Sequence, residues 1–441
     1  MKLVVIGGNA AGMSAASRVK RKNPNTHVVV LESTGEVSYG ACGLPYYVAG
    51  INDNLDLVRI RSVEDFEKTG VRVKLHCAAK SIDYDAKAVT YLNEAGVECV
   101  EHYDKLLIAS GSSPKVPPIP GITQENIFVL KTPDEAEAIK QAILSGCRKI
   151  VIVGGGYIGL ELAEACILRK IPEIHIVEAM DRLLNVFDPE FGEAVKDELT
   201  KQGANIHLSE KVMSFEGDGK VTAVVTDKGR YEADAVILSI GVSPNTAFAG
   251  DSIAKLGNGA ILTNPAMETS IKDVYAAGDC ATVYNKLLDK PAYIALGTNA
   301  NKQGRLAGDA ILGKEVCYKR ALGTSMLRCM ELEFAKTGLG ESECRANNID
   351  YKTTTVKTRS HARYYPNPAE LTIKLCYKAD DGVLLGAQLM GRCEAAWRID
   401  IFACAIDQEM TCEELGFLDL GYAPPFASVW DAVHIAANAS K

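Results

Sequence analysis

The stretch Ile150-Val151-Ile152-Val153-Gly154-Gly155-Gly156-Tyr157-Ile158-Gly159 decides the fold that we expect for this chain. It is an apolar strand that runs into the complete pattern G-x-G-x-x-G. A helix is predicted from about residue 160 to 168, and a strand over residues 174–177 ends at Glu178, 19 residues beyond Gly159. Strand, glycine turn, helix, strand and acid follow in the order that binds a dinucleotide, with its pyrophosphate at the helix N-terminus and its ribose on the acid.

Glu178 also bears on which dinucleotide binds. An acid at this strand end favours NADH, because it would repel the 2′-phosphate of NADPH. Arg182 follows closely in the sequence, so NADPH stays open as an alternative.

A second turn of this kind, less complete, lies near the N-terminus. A predicted strand over residues 3–6 leads into Gly7-Gly8-Asn9-Ala10-Ala11-Gly12, and a helix is predicted from about residue 13 to 22. The next strand ends at Glu32, 20 residues after Gly12, which is the distance expected for an acid that bonds a ribose hydroxyl. Asn9 replaces the middle glycine, so an ordinary tight turn between strand and helix is the alternative.

Other predicted strands also close on small residues. Residues 105–114 contain a strand that ends at Ser110 and Gly111, and residues 235–241 contain one that ends at Gly241. Residues 274–281 are a strand that runs into Gly-Asp. Asp279 there either accepts hydrogen bonds from the sugar hydroxyls of a second cofactor or belongs to a turn after an edge strand.

Cys42 lies in Ser38-Tyr39-Gly40-Ala41-Cys42-Gly43-Leu44-Pro45-Tyr46-Tyr47. Because Pro45 suits the first turn of a helix, Cys42 is predicted at a helix N-terminus, where the dipole favours a thiolate. The alternative is a buried small hydrophobe, as most free cysteines are. The chain has 13 cysteines but no C-x-x-C pair and no Cys/His cluster with zinc spacing, so we expect no metal site and a reducing cytoplasm.

Bulk properties exclude other classes of function. The net charge is −8 and the pI is about 5.6, which argues against nucleic-acid binding. No apolar run approaches the roughly 20 residues that cross a bilayer, so no membrane partner is expected. The N-terminus lacks the organisation of a signal peptide, and the chain ends at Lys441, so we expect no leader and no appended sulfur-transfer domain.

Taken together, these motifs resemble the flavin-dependent pyridine nucleotide–disulfide oxidoreductases. The resemblance implies an α/β chain with two Rossmann-like dinucleotide-binding domains, for FAD and NAD, and an α+β dimerisation domain at the C-terminus. It implies an FAD domain in two parts, residues 1–115 and 246–320, around an NAD(P)H domain of residues 116–245, with a dimerisation domain of residues 321–441.

The resemblance also implies the cofactor residues. In such proteins Tyr157 shields the flavin until NADH enters, and Glu161 lies near the nicotinamide; packing of the helix turn is the alternative role for Tyr157. FAD would be bound by Gly7, Gly8, Ala11, Gly12, Glu32, Ser110, Gly111, Asp279 and Ala300. NAD(P)H would be bound by Gly154, Gly156, Tyr157, Ile158, Gly159, Glu161, Glu178 and Gly241.

The single-cysteine branch of this family fits best. Dithiol members carry C-x4-C, but position 47 is Tyr47. Peroxidases and many oxidases of the branch carry a histidine where this chain has Ala10. This difference argues against a peroxidase and against a water-forming oxidase. Ala41 stands where some members have asparagine, which leaves the fine choice of substrate open.

Two C-terminal motifs resemble those of coenzyme A-disulfide reductases, in which two tyrosines of the partner subunit lie beside the cysteine sulfur. Carried over, these are Tyr364 and Tyr422, and they imply a homodimer with a shared active site. Aromatic packing at a dimer interface is the alternative. The basic residues at the end of the first predicted helix either complement its C-terminus or hold the coenzyme A phosphate. The substrate residues would be Arg18, Arg21, Lys22 and Ser38.

The sequence therefore predicts an enzyme that passes electrons from NAD(P)H through FAD to Cys42, which reduces a small disulfide, foremost coenzyme A disulfide or a coenzyme A persulfide. One alternative is an NADH oxidase that gives water or peroxide through a Cys42 sulfenic acid. Another is a flavoprotein that serves as a redox sensor or as an electron donor to a protein.

Overall fold

The structure, a computed structural model, describes residues 1–393 and 395–440. Contacts between residues divide the chain into two compact units. The first unit comprises residues 1–43, 54–114 and 242–321, and the second comprises residues 44–53, 115–241 and 322–441. The four-segment division expected from sequence stays a prediction.

The first unit is built on a five-stranded parallel sheet. Its central strands are almost wholly apolar and buried, as expected where helices or other sheets cover both faces of a parallel sheet. The strands, in spatial order, are Val274–Ala276, Lys105–Ile108, Lys2–Ile6, His27–Leu31 and Val71–Lys74.

Helices and small sheets complete the first unit. The helices are Ala10–Lys22, Val63–Glu67 and Gly297–Ile311, with 3-10 turns at Ala41–Gly43, Leu55–Val58 and Ala247–Ala249. The small antiparallel sheets are Ala78–Asp83 with Ala88–Leu92 and Glu98–His102, Ser112–Pro114 with Val242–Pro244, and Val283–Asn285 with Lys290–Ala292.

The second unit contains a parallel sheet of the same kind. Its strands, in spatial order, are Asn205–His207, Glu173–Val177, Lys149–Val153, Ala235–Leu238 and Ile127–Phe128. An antiparallel sheet of Val212–Asp218, Lys220–Thr226 and Arg230–Glu232 shares a buried apolar core with it. The helices around them are Leu44–Ala49, Pro133–Leu144, Tyr157–Leu168 and Pro189–Lys201.

The C-terminal part of the second unit is a five-stranded antiparallel sheet with short helices. The strands, in spatial order, are Ser325–Cys329, Leu332–Gly338, Leu384–Gly391, Glu370–Lys378 and Tyr351–Arg359. The helices are Glu341–Ala346, Ile399–Asp407, Cys412–Leu415 and Ala432–Asn438, with a 3-10 turn at Ala396–Arg398.

The expected fold class is confirmed: two parallel Rossmann-like sheets and a C-terminal α+β part. Two helix starts differ from expectation. The helices begin at Ala10 and Tyr157, three residues before the predicted starts, because the last glycine of each turn lies inside its helix. Among the residues that the structure describes, no helix is long and apolar enough to pass through a bilayer.

Candidate active site

The turn Gly7–Gly12, here called the first glycine turn, joins the first strand to the first helix in very little space. Gly7 has a φ of +108°, and a Cβ there would lie 2.1 Å from the Ala109 carbonyl oxygen. A Cβ on Gly12 would lie 1.9 Å from the Gly7 oxygen. Both positions therefore require glycine, one for its conformation and both for close packing of helix on strand.

Glu32 is buried behind this turn and is held by backbone and hydroxyl donors. Its Oε2 accepts a hydrogen bond of 2.6 Å from the Gly8 amide, and its Oε1 accepts one of 2.8 Å from the Thr34 amide. The carboxylate is thus fixed at the mouth of the first glycine turn, where a ribose is expected in a dinucleotide site.

Other residues expected around FAD converge on the same place. A Cβ on Gly278 would lie 3.0 Å from Ala11 Cβ and 3.5 Å from Ala300 Cβ, so three separate segments meet beside the first glycine turn. Asp279, the next residue, accepts a 3.0 Å hydrogen bond from Ser112 Oγ.

Ser110 and Gly111 follow the neighbouring strand, Lys105–Ile108, and contact a different segment of the first unit. Ser110 Oγ donates to the Asn245 carbonyl at 2.6 Å, and Gly111 has a φ of +67°. These contacts hold two distant parts of the first unit together at the carboxyl end of its parallel sheet, where α/β proteins bind their ligands.

Cys42 lies in the 3-10 turn Ala41–Gly43, directly before the helix Leu44–Ala49, and is exposed. The segment that leads to it is tied to the first glycine turn, because the Ser38 amide donates to the Gly8 carbonyl at 2.9 Å. Ser38 has a φ of +50°, so the chain bends sharply there. The structure therefore presents Cys42 as an accessible thiol shortly after Ser38, the residue that is bonded to the first glycine turn, and not as core filler.

Tyr47, at the position of the absent second cysteine, has a packing role. Its side chain is buried, its hydroxyl donates to Glu137, and Lys140 Nζ lies 3.8 Å from its ring centroid. Together with burial, the hydrogen bond to Glu137 raises the pKa of Tyr47 to about 12, so the phenol stays protonated at neutral pH.

The turn Gly154–Gly159, here called the second glycine turn, repeats the geometry of the first. Gly154 has a φ of +106° and a Cβ there would lie 2.5 Å from the Ser239 oxygen, while a Cβ on Gly159 would lie 2.1 Å from the Gly154 oxygen. Glu178 Oε2 accepts a 2.7 Å hydrogen bond from the Gly155 amide. Gly241, with a φ of +96°, follows the neighbouring strand of the same sheet.

The two turns differ at their middle position, where Asn9 corresponds to Gly156. A Cβ on Gly156 would meet no atom of the described chain within 4 Å. Gly156 and Asn9 both have extended backbones, with φ of −82° and −110°, so neither needs the conformational freedom of glycine. The space at Gly156 fits the close approach of a pyrophosphate, and the asparagine in the first turn is sterically allowed.

Glu161 and Tyr157 lie on the helix that the second glycine turn opens. Burial, with a further contribution from Glu164, raises the pKa of Glu161 to about 7. Tyr157 Oη is hydrogen-bonded to Ser325 Oγ at 2.7 Å, its ring is edge-on to Phe187, and burial raises its pKa. Both the shielding role and the packing role of Tyr157 therefore stay open as predictions.

Arg18 has a partner that the sequence did not indicate. Its Nε and Nη2 donate to the two carboxylate oxygens of Asp309, each at 2.8 Å, and the pair joins the helices Ala10–Lys22 and Gly297–Ile311. Arg21 and Lys22 are exposed at the end of the first helix. Asp309 gave no signal in the sequence, because one acid in a helix is uninformative until its partner is known.

Tyr364 and Tyr422 are brought together, 58 residues apart in sequence, by a hydrogen bond between their hydroxyls. Both side chains are exposed in the single chain, and the hydrogen bond between the two hydroxyls raises the pKa of Tyr422. The structure thus pairs the two tyrosines that the family resemblance singled out separately.

Two family models match the chain. Residues 1–304 match the model described as pyridine nucleotide-disulphide oxidoreductase, and residues 326–433 match the dimerisation domain of that family.

Relatives over the full length carry two kinds of name. An "NAD(P)H sulfur oxidoreductase (CoA-dependent)" of Pyrococcus abyssi is 38% identical over 441 residues, which are 100% of this chain and 98% of that protein. An "NADH oxidase" of Enterococcus faecalis is 33% identical over 444 residues, 100% of this chain and 99% of that protein. The crystal structure of the reduced CoADR-RHD of Bacillus anthracis matches with a TM-score of 0.96 and 32% identity, over 99% of this chain and 79% of that chain.

The chain belongs to the pyridine nucleotide-disulphide oxidoreductases. It is accordingly an NAD(P)H-dependent flavoprotein oxidoreductase, as the family resemblance implied.

Proposed function

We propose that the protein reduces a low-molecular-weight disulfide or persulfide, foremost one that contains coenzyme A, through Cys42. The observation that carries this proposal is the exposed Cys42 thiol, a few residues from Ser38, which is bonded to the first glycine turn. Relatives whose names specify a coenzyme A-dependent sulfur substrate support the same choice.

In this proposal the two glycine turns hold the two cofactors. The first turn, with Glu32 and Asp279, binds FAD, and the second turn, with Glu178, binds NADH. FAD, once bound, supplies the transfer of an electron pair from the dinucleotide to sulfur.

Cys42 performs the sulfur chemistry. Its thiolate attacks one sulfur of the substrate disulfide, a bond forms between Cys42 Sγ and that sulfur, and the other sulfur leaves as a thiolate. Two electrons then break the mixed disulfide, which releases the second thiol and restores the Cys42 thiolate. One proton is taken up for each thiolate that leaves as a thiol. The position of Cys42 directly before a helix favours the thiolate.

The substrate is recognised by cations and tyrosines. Arg21 and Lys22 are exposed and can form charge-assisted bonds with a phosphate. The side chain of Arg18 is only 13% exposed and is bonded to Asp309 through Nε and Nη2, so Arg21 and Lys22 are the more accessible cations. In a homodimer, Tyr364 and Tyr422 of the partner subunit hold the mixed disulfide or protonate the leaving sulfur.

The test is anaerobic turnover of coenzyme A disulfide with NADH by Cys42→Ser. We expect the variant to retain FAD and its bleaching by NADH but to lose disulfide reduction by at least about a thousandfold, because no thiolate can attack the substrate. Cys317→Ser, which changes another exposed cysteine, is the matched control and keeps full activity. Disulfide reduction by Cys42→Ser at the wild-type rate would disprove the proposal.

The second candidate function is that of an NADH oxidase, favoured by full-length relatives with that name. In that case Cys42 would cycle through a sulfenic acid while oxygen is reduced. Two rates separate the functions: oxygen consumption with NADH, and anaerobic reduction of coenzyme A disulfide with NADH at the same pH and temperature. The larger rate identifies the function.

A further inference from the structure

The loop His207–Glu210 holds the backbone of Glu178 in the second unit. The Glu178 amide donates to the His207 carbonyl at 2.8 Å, and the Glu210 amide donates to the Glu178 carbonyl at 3.0 Å. Between them, the Ser209 amide donates to the Met180 carbonyl at 2.7 Å, and Ser209 has a φ of +52°. The loop therefore fixes the strand end from which the Glu178 carboxylate reaches the second glycine turn.

Two stacked histidine rings and a tilted tyrosine ring pack together beside this loop. His175 and His207 are 5.2 Å apart between ring centroids and nearly parallel, and Tyr231 lies 4.2 Å from His207 and 4.9 Å from His175. Tyr231 belongs to the neighbouring antiparallel sheet, on the strand Arg230–Glu232. Its hydroxyl lies 3.1 Å from His207 Nδ1 and donates to Glu210 Oε1 at 2.7 Å, so one phenol contacts the first and last residues of the loop.

The chain of contacts runs from the surface to a buried acid. His175 Nε2 lies 3.0 Å from Glu173 Oε1, and His175 Nδ1 lies 2.9 Å from His207 Nε2. At the far end, the side chain of Glu210 is only 5% exposed, and its Oε1 also accepts a hydrogen bond from Thr226 Oγ1 at 2.5 Å. Although burial opposes it, the bonds from Thr226 and Tyr231 lower the pKa of Glu210, which is therefore ionised near neutral pH.

Counting the hydrogens shows which protonation state this series of hydrogen bonds requires. Tyr231 has one hydroxyl proton, which Glu210 receives, so His207 must donate from Nδ1 to the Tyr231 oxygen. His207 Nε2 then accepts from His175 Nδ1, and His175 must donate from Nε2 to Glu173. Both nitrogens of His175 then carry protons, so the full set of contacts requires one positive charge on the histidine pair. A neutral pair has one proton too few, so one of the four contacts from Glu173 to Glu210 must be lost.

Charged groups on the surrounding elements are few. Lys149 on the adjacent strand lies 3.7 Å from Glu173 and also pairs with Glu232. Lys228 Nζ lies 3.4 Å from the Leu208 carbonyl, beside Glu210. Burial, together with the charge of His175, lowers the pKa of His207.

We propose that Tyr231 and the pair His175–His207 position Glu178 for the dinucleotide, and that the dinucleotide binds more tightly when the histidine pair carries a proton. The inference rests on the proposed role of Glu178 as the ligand of the adenosine ribose. By linkage, binding of the dinucleotide must then be accompanied by proton uptake.

The test is equilibrium binding of NAD⁺ to the oxidised holoenzyme by titration calorimetry, at about pH 6 and about pH 8, in buffers of different ionisation enthalpy. For the wild type we expect binding about threefold to tenfold weaker at the higher pH, with net proton uptake near neutral pH. Tyr231→Phe and His175→Asn should bind more weakly at the lower pH, with no dependence on pH and no proton uptake. Tyr351→Phe is the control, because it removes a tyrosine hydroxyl that donates to another glutamate of the same unit, Glu341. It should behave as wild type.

Proton uptake is a readout that a purely structural role of Tyr231 would not change. Binding by the wild type without proton uptake would overturn the proposal, as would undiminished uptake in both Tyr231→Phe and His175→Asn. Glu178→Gln separates the two levels of inference. If it binds NAD⁺ as tightly as wild type, the role of Glu178 fails; if it binds weakly while Tyr231→Phe binds normally, only the positioning role fails.

Discussion

Glu161, the acid expected near the nicotinamide, is a largely buried carboxyl group. Burial raises the pKa of Glu161 to about 7, whereas the carboxylate of Glu178 accepts hydrogen bonds from the amides of Gly155 and Met180. In the folded protein Glu161 therefore keeps its proton at a pH where the same group in the unfolded chain has lost it. Burial of this acid thus makes stability depend on pH.

Glu161→Gln should reveal that dependence. Because the folded pKa is raised, the wild type loses stability as the pH rises from about 4.5 to about 7, by at most about 3 kcal/mol. The glutamine variant lacks this loss, so its melting temperature relative to wild type should increase over that window and stay constant above it. Thermal unfolding of the two holoenzymes at several pH values measures the difference. Glu67→Gln, an exposed change, should run parallel to wild type, and a parallel Glu161→Gln profile would contradict the burial argument.

Glu32 and Glu178, the two acids proposed to bind ribose, offer a matched pair of substitutions. Glu178→Gln should raise the KM for NADH about tenfold and lower the KM for NADPH, because it removes both a charged hydrogen-bond acceptor and the repulsion of a 2′-phosphate. Glu32→Gln, at the first glycine turn, should weaken retention of FAD and leave the NADH to NADPH ratio unchanged. Steady-state kinetics with both dinucleotides and FAD release on dilution distinguish them. An unchanged dinucleotide ratio in Glu178→Gln would mean that another residue sets the preference.

At the scale of elements, the second glycine turn contains positions where packing requires glycine and one position where a side chain would enter open space. Gly154 must adopt a positive φ against the backbone at Ser239, whereas Gly156 faces open space with an ordinary backbone. The same motif therefore contains a structural glycine and, two residues later, the glycine that we propose leaves room for the dinucleotide.

Gly154→Ala and Gly156→Ala should separate these roles. Gly154→Ala should destabilise the fold by about 2–4 kcal/mol, through a strained φ and a backbone clash. Gly156→Ala should melt like wild type without dinucleotide but bind NAD⁺ more weakly, because its methyl group occupies the space of the pyrophosphate. Thermal unfolding and NAD⁺ titration check both. Equal melting temperatures for the two variants would contradict the assignment.

The sequence was sufficient for the elements whose signals are local. Both glycine turns and the strands that lead to Glu32 and Glu178 follow from spacing and apolar runs, and the fold class follows from the family resemblance that these motifs carry. The partners of Arg18 and Tyr231 could not be predicted, since Asp309 and Glu210 reach them only after distant segments pack together. The paired hydroxyls of Tyr364 and Tyr422 likewise depend on tertiary structure, although each motif was visible by itself.

At the scale of the whole molecule, the C-terminal part exposes large aromatic side chains. Trp397, Phe417 and Phe426 are each 72% exposed in the single chain, and Trp430 is 51% exposed. Isolated soluble surfaces rarely leave so many aromatic rings in water, and the segment matches the dimerisation domain of the family. We therefore expect a homodimer.

Mixed dimers test whether the active site is shared. Cys42→Ser and the double variant Tyr364→Phe with Tyr422→Phe should each have little disulfide reductase activity. After dissociation and random reassociation of equal amounts, about a quarter of the wild-type sites should combine an intact Cys42 with intact tyrosines. Disulfide reductase activity, measured before and after mixing, shows whether such sites form. No recovery, with mixed dimers verified by mass spectrometry, would place the tyrosines and the cysteine of a site in one subunit.

The order of segments in the first unit has a consequence for biosynthesis. Its edge strand Val274–Ala276 pairs with Lys105–Ile108, and residues 109–273, most of them in the second unit, emerge from the ribosome between the two. Asp309, whose carboxylate accepts hydrogen bonds from Arg18, is synthesised later still. We therefore expect the nascent chain to complete the second glycine turn and its sheet before the first, so that capture of FAD is a late event and an interrupted translation product accumulates without flavin.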